Sequence, residues 1–138
     1  MSLTGKGAEK VVVNGITELF FNGKLHCENG PARIYPDGDS EWFLNGKLHR
    51  KDGPAVDWIK GDKHWLINGK YHREDGPAIH YADGDKEWWV DGKLHRDNGP
   101  AVDWGIYKQW FLKGKQVSEK EFNRRRRAAK KAAQKTVD

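Results

Sequence analysis

The sequence predicts an all-β fold, an elongated antiparallel β-meander made of repeats, followed by a basic C-terminal α-helix. The first observation is a turn dipeptide that recurs every 23 residues, at 22–23, 45–46, 68–69 and 91–92 and, in a weaker form, at 113–114. The second is Gly-Pro-Ala, which recurs with the same spacing at 30–32, 53–55, 76–78 and 99–101. A fixed spacing of this length indicates an array in which each unit packs on its neighbours.

One full repeat reads as short β-strands joined by tight turns. Residues 41–44 favour a strand that ends at Asn45-Gly46, a strong hairpin signal because a type I′ turn needs positive φ at both central residues. Residues 47–49 then pair back, and residues 50–54 reverse the chain because their proline cannot sit within a central ladder. Residues 55–59 form a second strand, so we expect about two main strands per repeat.

The chain divides into three predicted parts. Residues 1–10 contain little that is apolar and are expected to be a flexible N-terminus, and residues 118–138 are expected to be the basic helix. The repeat domain occupies residues 11–117 and opens with a lone cap strand at 11–13. Its copies lie near 19–41, 42–64, 65–87 and 88–109, with a partial copy at 110–117.

The helix is predicted from its start signal and its composition. Ser118 followed by Glu121 fits a capping box, in which each side chain bonds a backbone N–H at the helix start. Alanines, which favour helix, lie among the arginines and lysines that follow.

The formal net charge of +5 is concentrated in this tail. Residues 119–138 carry eight Lys and Arg against three Asp and Glu, which leaves seventeen of each sign in residues 1–118. The repeat body is therefore formally neutral. The single cysteine, Cys27, excludes an internal disulfide, and no segment is apolar enough to be a leader or a membrane span. We expect a cytoplasmic protein that binds no membrane.

The repeat resembles the MORN-type repeats. The resemblance rests on Asn45-Gly46-Lys47-Leu48-His49 and its equivalents at 22–26, 68–72 and 91–95, and it covers roughly residues 19–114. After the histidine the sequence departs from that pattern, with Arg-x-Asp-Gly-Pro-Ala in place of a Gly-x-Gly run. This form looks like the tryptophan-rich variant repeats of phage and giant-virus proteins. The resemblance implies a binding scaffold without catalysis, in a phage protein that would bind a host factor in the host cytoplasm.

The aromatic strand of each repeat is apolar on both sides. Trp42, Trp65, Trp88 and Trp110 lie on one side, to which we assign a structural role. The candidate partner-binding residues lie on the other side: Phe43, Leu66, Trp89 and Phe111. Aromatic side chains dominate interface hot spots, so this set predicts a protein-binding surface. The alternative is that the C-terminal helix or a second chain covers it.

The sequence predicts no catalytic residue, no cofactor and no metal site. The repeated histidines invite a metal interpretation, and they are His26, His49, His72 and His95. Equivalent points in successive repeats should be two strands apart, about 9–10 Å. In a zinc site, each histidine nitrogen lies about 2.0–2.1 Å from the metal, so the ligand nitrogens are only a few ångströms from each other. Neighbouring histidines therefore cannot share an ion. We expect each to bond the backbone of its own hairpin or a nearby aspartate, such as Asp52.

The basic tail leaves three interpretations open: a solvated helix end, a nucleic-acid contact, or a contact with an acidic protein or membrane surface. Its candidate nucleic-acid-binding residues are Arg124, Arg125, Arg126, Arg127, Lys130 and Lys131. The leading prediction is a non-enzymatic protein-binding scaffold. The alternative is nonspecific nucleic-acid binding through this helix, with bases stacking on the aromatic sheet. Exposed sheet edges also predict a homodimer.

Overall fold

The structure, a computed structural model, describes residues 7–137. In that part of the chain, eighteen β-strands precede one α-helix. The strands of the first half are β1 (Ala8–Val13), β2 (Ile16–Phe21), β3 (Lys24–Leu25), β4 (Arg33–Ile34), β5 (Ser40–Glu41), β6 (Phe43–Leu44), β7 (Lys47–Leu48), β8 (Val56–Asp57) and β9 (Lys63–His64). The second half holds β10 (Leu66–Ile67), β11 (Lys70–Tyr71), β12 (Ile79–His80), β13 (Lys86–Glu87), β14 (Trp89–Val90), β15 (Lys93–Leu94), β16 (Val102–Trp104), β17 (Tyr107–Leu112), β18 (Lys115–Val117) and α1 (Glu119–Val137).

Twelve of these strands form one antiparallel meander, in the order β1-β2-β4-β5-β8-β9-β12-β13-β16-β17-β18, with β3 paired to β2. Each full repeat contributes two strands to this main sheet. Between them the chain leaves the sheet and forms a separate two-stranded hairpin: β6–β7, β10–β11 and β14–β15. The predicted fold class is confirmed.

The hairpin turns have the predicted geometry. Asn45 and Gly46 have φ values of 51° and 81°, and both residues of every equivalent turn also have positive φ. Positive φ at both central positions is the signature of a type I′ turn, which matches the twist of the flanking strands. Even Lys113, a poor residue for this conformation, adopts it at φ 49°. The neighbouring repeats therefore impose the turn where the local sequence no longer favours it.

The first aromatic residue of each repeat joins the main sheet to the hairpin. The Trp42 N–H donates to the Ala55 carbonyl in the sheet at 2.7 Å, while the Trp42 carbonyl accepts from the His49 N–H in the hairpin at 2.9 Å. Trp65 and Trp88 repeat both bonds. One residue thus fixes where the strand leaves the sheet.

The core lies between the sheet and the hairpins. Val56, Ile79 and Val102 lie in one cross-strand row and are at most 5% exposed. Leu66, from a hairpin, packs with Val56 and with Ala55, which is fully buried. The opposite face of the sheet carries a polar row that includes Asp57, Lys63, His80, Lys86 and Asp103.

The N-terminal boundary differs from the prediction. Strand β1 begins at Ala8 and pairs with β2 over six residues, so residues 11–13 are not a lone strand and residues 8–10 are not frayed. Pairing with a full neighbouring strand outweighs the weak β-propensity of Ala8 and Lys10. The remainder of the predicted flexible N-terminus, residues 1–6, lies outside the described residues.

The helix starts where the sequence predicts. The Ser118 side-chain oxygen accepts from the Glu121 N–H at 3.0 Å, as an N-cap should. The Glu121 carboxylate bonds Arg124 and Arg125 instead. Phe122 is 3% exposed where α1 contacts β17, whereas every side chain from 123 to 135 is exposed. Within residues 7–137, no helix is long and apolar enough to span a membrane.

The repeated histidines connect successive repeats. The Nδ1 atom of His49 accepts from the Asn68 N–H of the next hairpin turn at 3.0 Å. His26, His72 and His95 each accept the equivalent bond at 2.9–3.0 Å. The expectation that each histidine bonds the backbone of its own hairpin was wrong, because the next tip stacks beside the end of the returning strand. The alternative, a nearby aspartate, holds at His95, whose Nε2 lies 2.9 Å from Asp97. Asp52 pairs with Arg50. In the described part of the chain, no group of three His, Cys, Asp or Glu could hold a metal ion.

We predict that His49→Leu destabilises the protein by about 1–3 kcal/mol, because it leaves the Asn68 N–H without its acceptor. His49→Asn should lose less, since its side-chain oxygen lies near the position of Nδ1. Urea denaturation followed by tryptophan fluorescence measures both. Equal losses for the two variants would show that ring packing, and not the hydrogen bond, is what His49 contributes.

Candidate functional site

An arginine stacks on the first tryptophan of each complete repeat. The guanidinium carbon lies 3.8 Å from the ring centroid for Arg50 over Trp42, 3.9 Å for Arg73 over Trp65 and 3.5 Å for Arg96 over Trp88. Each guanidinium also donates to the carbonyl of the following proline at 3.1–3.2 Å. Such stacks are worth about 0.5–2 kcal/mol, depending on desolvation. Sequence reasoning missed them because the partners are eight residues apart on different elements.

The glycine of each Gly-Pro-Ala makes room for this stack. A Cβ atom at Gly53 would lie 2.7 Å from the Arg50 guanidinium carbon, and one at Gly76 would lie 2.8 Å from that of Arg73. Neither glycine has positive φ, so the position requires space and not backbone freedom. The first copy has Cys27 in place of the arginine, and there a Cβ on Gly30 would meet only a sulfur at 3.9 Å.

Two clefts open between successive copies of this loop. The first has a volume of about 710 Å³ and the second about 500 Å³. Trp65 and Ile67 lie in the lining of the first, and Trp88 and Val90, exactly one repeat later in sequence, lie in that of the second. The lining of the first cleft comprises Arg50, Lys51, Asp52, Gly53, Pro54, Trp65, Ile67, His72, Arg73, Glu74 and Asp75. The molecule therefore presents the same cleft twice, displaced by one repeat.

The cleft walls carry both signs of charge at different depths. The carboxylate side chains of Asp52, Glu74 and Asp75 are 84–87% exposed. The side chains of Arg50 and Arg73 are only 22% and 25% exposed, because each stacks on a tryptophan. A ligand would meet acidic groups at the rim and an apolar surface beside fixed guanidinium groups further in.

The predicted partner-binding set occupies a different environment from the one expected. Phe43 and Leu66 are 9% and 5% exposed, so both belong to the core. Trp89 is partly exposed, with its indole N–H bonded to Glu87 at 3.0 Å, and Phe111 is also partly exposed. Phe43 and Leu66 therefore offer little surface to a partner. Binding by Trp89 and Phe111 stays a prediction.

Phe43 and Leu66 are buried because the main sheet covers their side of the aromatic strand. The inner face of the main sheet lies over the Phe43 and Leu66 side, where the Arg33 guanidinium sits 5.3 Å from the Phe43 ring. The other side of the strand carries the tryptophans assigned a structural role, and it is this side that lines the clefts through Trp65 and Trp88.

A half-buried polar cluster lies under the hairpins. Glu87, 8% exposed, accepts from the Tyr81 hydroxyl at 3.2 Å, and Tyr81 lies beside His64 with ring centroids 6.3 Å apart. Burial, with the charge of Glu87 and this hydrogen bond, raises the pKa of Tyr81 to about 12. Burial also lowers the pKa of His64. Tyr81 therefore stays protonated at neutral pH and holds Glu87 in place as a hydrogen-bond donor.

The helix presents its basic side chains in two groups. Arg124 and Arg125 both bond the carboxylate of Glu121, which lowers the pKa of Glu121 to about 2. The rest of the predicted set is exposed and makes no ion pair with another described side chain: Arg126, Arg127, Lys130 and Lys131. The structure thus leaves four of the six predicted nucleic-acid-binding residues unpaired.

Comparison with known proteins gives no match: no protein-family model, no curated protein and no solved structure is significantly similar to this chain. The resemblance to MORN-type repeats stays a prediction.

We predict that Gly76→Ala destabilises the protein by about 1–2 kcal/mol relative to Gly30→Ala. The new methyl group displaces the Arg73 guanidinium from Trp65, while the methyl at Gly30 meets only the Cys27 sulfur, at the ordinary contact distance of 3.9 Å. Both variants lose the same backbone entropy on folding, so the difference isolates the stack. Thermal and urea denaturation measure it, and equal stabilities would contradict the space requirement.

Proposed function

We propose that the protein is a non-enzymatic protein-binding repeat scaffold, and that the two clefts bind an extended segment of the partner. The observation that supports this proposal is a cleft of several hundred Å³ with a tryptophan in its lining. The cleft occurs twice, and the two copies lie one repeat apart. A surface of this kind offers aromatic floors for anchoring side chains and charged rims for orienting the segment. As the resemblance to phage repeats implies, we propose a host protein as the partner.

The spacing of the clefts supports an extended conformation for this segment. Each full repeat contributes two strands to the main sheet, and the hairpin tips follow the same advance through bonds such as that from the Gly69 N–H to the Leu48 carbonyl at 2.8 Å. Each repeat therefore advances the array by two strand spacings, about 9.4–9.8 Å. A polyproline II helix has three residues per turn and rises about 9.3 Å per turn, so it presents every third side chain to one surface. Such segments bind aromatic-lined grooves in other recognition domains.

We predict that peptides selected from a random displayed library on the immobilised full chain share apolar residues or prolines at a three-residue spacing. Ile67→Glu should weaken their binding about tenfold or more, because it replaces an apolar side chain of the cleft lining with a charged one that a bound apolar residue would have to desolvate. Ile34→Glu is the matched control, since Ile34 is exposed on the outer face of the sheet. Binding is measured by fluorescence anisotropy after circular dichroism confirms the fold of both variants.

Two results would contradict this proposal. One is a set of selected peptides without any three-residue period. The other is binding that survives Ile67→Glu, or that falls equally with Ile34→Glu, which would place the contact outside the clefts.

A second candidate function is nonspecific nucleic-acid binding through α1. The observation that favours it is the exposure of every side chain from 123 to 135 together with the lack of ion pairs at Arg126, Arg127, Lys130 and Lys131. Unpaired cations can replace the counterions of a phosphate backbone, and their release drives binding. Phosphate contacts carry no sequence information, so this candidate predicts no sequence preference.

We predict that the helix variant, Arg126→Gln/Arg127→Gln/Lys130→Gln/Lys131→Gln, binds labelled DNA and RNA more weakly than the wild type. For duplex DNA, the slope of log affinity against log salt should fall in magnitude by about 3. A sheet variant that removes four charges elsewhere, Lys60→Gln/Lys63→Gln/Lys86→Gln/Lys108→Gln, is the control. Equal slopes for the helix variant and the wild type would exclude the helix as the contact.

A further inference from the structure

From the turn Asn22-Gly23 onward, each hairpin turn is followed by a lysine that opens the returning strand. These residues form a series with one member per repeat, which we call the lysine ladder: Lys24, Lys47, Lys70, Lys93 and Lys115. All five are exposed. None makes an ion pair with another side chain in the part of the chain that the structure describes.

The fold holds the ladder in line. A Cβ atom at Gly92 would lie 3.6 Å from the Cβ, Cγ and Cδ atoms of Lys70, and one at Gly114 would lie 3.5 Å from the same atoms of Lys93. Each lysine stem therefore lies over the glycine of the next turn. Because that glycine has no side chain, the stem is supported while its amino group extends into solvent.

The ladder has a regular pitch set by the backbone. Each full repeat adds two strands to the main sheet, and the hairpins follow this advance through bonds such as that from the Gly92 N–H to the Tyr71 carbonyl at 2.9 Å. Successive lysines are then about 9.4–9.8 Å apart, and the five span about 38 Å.

Two groups of acidic side chains lie in the loops and turns of the repeats. One group, which includes Asp52, Glu74 and Asp75, lies at the rims of the clefts beside the hairpins. The other group lies in the turns between main-sheet strands, as Asp37, Asp39, Asp62, Asp83 and Asp85. Each strand pair such as β5 and β6 runs from one of these turns to a hairpin tip, so the two kinds of turn end up on different edges. One acidic residue, Asp91, lies in the described hairpin turns, and its carboxylate is 3.2 Å from His72. The equivalent residue of the last repeat is Lys113. The formally neutral repeat body therefore has one basic edge.

We propose that the lysine ladder and the basic side chains of α1 form one continuous surface that binds the phosphate backbone of a nucleic acid. This inference rests on the second candidate function and extends it from the helix to the repeats. Lys115 precedes the first helical residue, Glu119, by four residues, so the last lysine of the ladder lies close to the start of the basic helix. A line of cations about 38 Å long matches a linear polyanion, which places one charge per 1.7 Å of duplex axis.

The distribution of apolar side chains favours nucleic acid over a membrane surface. A protein that binds a membrane surface inserts apolar side chains into the lipid beside the cations that contact the headgroups. Among the exposed large apolar side chains, Ile59 and Ile106 lie in the main-sheet turns, on the edge away from the ladder, whereas Phe21, 43% exposed, pairs with Lys24 at the Asn22-Gly23 hairpin tip. Binding to phosphates needs only the cations, which the ladder supplies.

The test uses the full chain and a labelled DNA duplex of about 20 base pairs, longer than the ladder at 3.4 Å per base pair. The ladder variant is Lys24→Gln/Lys47→Gln/Lys70→Gln/Lys93→Gln, in which glutamine keeps most of the aliphatic stem over each glycine. Fluorescence anisotropy across a salt series compares it with the helix and sheet variants, each of which also removes four charges. Thermal denaturation checks that all three remain folded.

We expect the ladder variant to bind at least about tenfold more weakly at 0.1 M salt, with a salt slope smaller in magnitude by about 3, while the sheet variant changes little. If the ladder variant binds like the sheet variant and only the helix variant loses affinity, the inference is wrong and the second candidate function stands. If the wild type binds neither duplex nor single strands at low salt, both fail. Ladder-dependent binding to vesicles with anionic headgroups, without binding to DNA, would also overturn the inference.

Discussion

The hydrogen bonds that join each hairpin to the next are the interaction on which the rest of the structure depends. The Asn68 N–H reaches His49, and the Gly69 N–H reaches Leu48, so each tip is fixed by the repeat before it. Both donors lie in a turn with positive φ, a conformation that directs them toward the neighbouring hairpin. Because the same bonds recur in each repeat, the array advances by a constant translation. The clefts and the lysine ladder are two consequences of that translation.

The ends of the array show what the interior motif contributes. The first copy has Leu19 where later copies have a tryptophan, and Cys27 where they have the stacking arginine. The last copy ends in Val117 where the others have histidine. Each end is instead covered by an added element: the β1–β2 pairing at the start and the docking of Phe122 at the finish. In a repeat array, stability is a sum of units and their interfaces, so the terminal copies can lose interface residues without affecting the middle.

The repeat, the type I′ turns and the helix start could be predicted from the sequence because each depends on a local signal such as Asn45-Gly46 or Ser118. The buried side of the aromatic strand could not be predicted. Trp42 and Phe43 are both apolar, so alternation does not distinguish the side that faces the sheet from the side that faces a guanidinium. The stack of Arg50 on Trp42 and the space at Gly53 depend on contacts between elements, which spacing alone does not reveal.

The lysine ladder was visible in the sequence as a lysine after the glycine of each hairpin turn from Gly23 onward, yet the neutral total for residues 1–118 concealed it. The lysines of the ladder and the aspartates of the main-sheet turns separate only in the folded chain, where the hairpin tips and the main-sheet turns lie on opposite edges. The acidic edge serves folding directly, since Asp39 accepts from the Ile59 N–H at 2.8 Å and Asp62 from the Ala82 N–H at 2.6 Å. Those carboxylates are thereby committed to the main-sheet turns and do not neutralise the tips.

The repulsion within the ladder is small enough for the fold to tolerate. Two unit charges about 9.5 Å apart in water repel by about 0.4 kcal/mol before screening. That separation exceeds the Debye length of about 8 Å at physiological ionic strength, so salt weakens the repulsion further. A polyanion experiences the opposite effect, because it interacts with all the lysines at once and releases its counterions on binding. The pitch of the repeat therefore keeps the lysines far enough apart to limit their mutual repulsion and close enough to act together on one linear ligand.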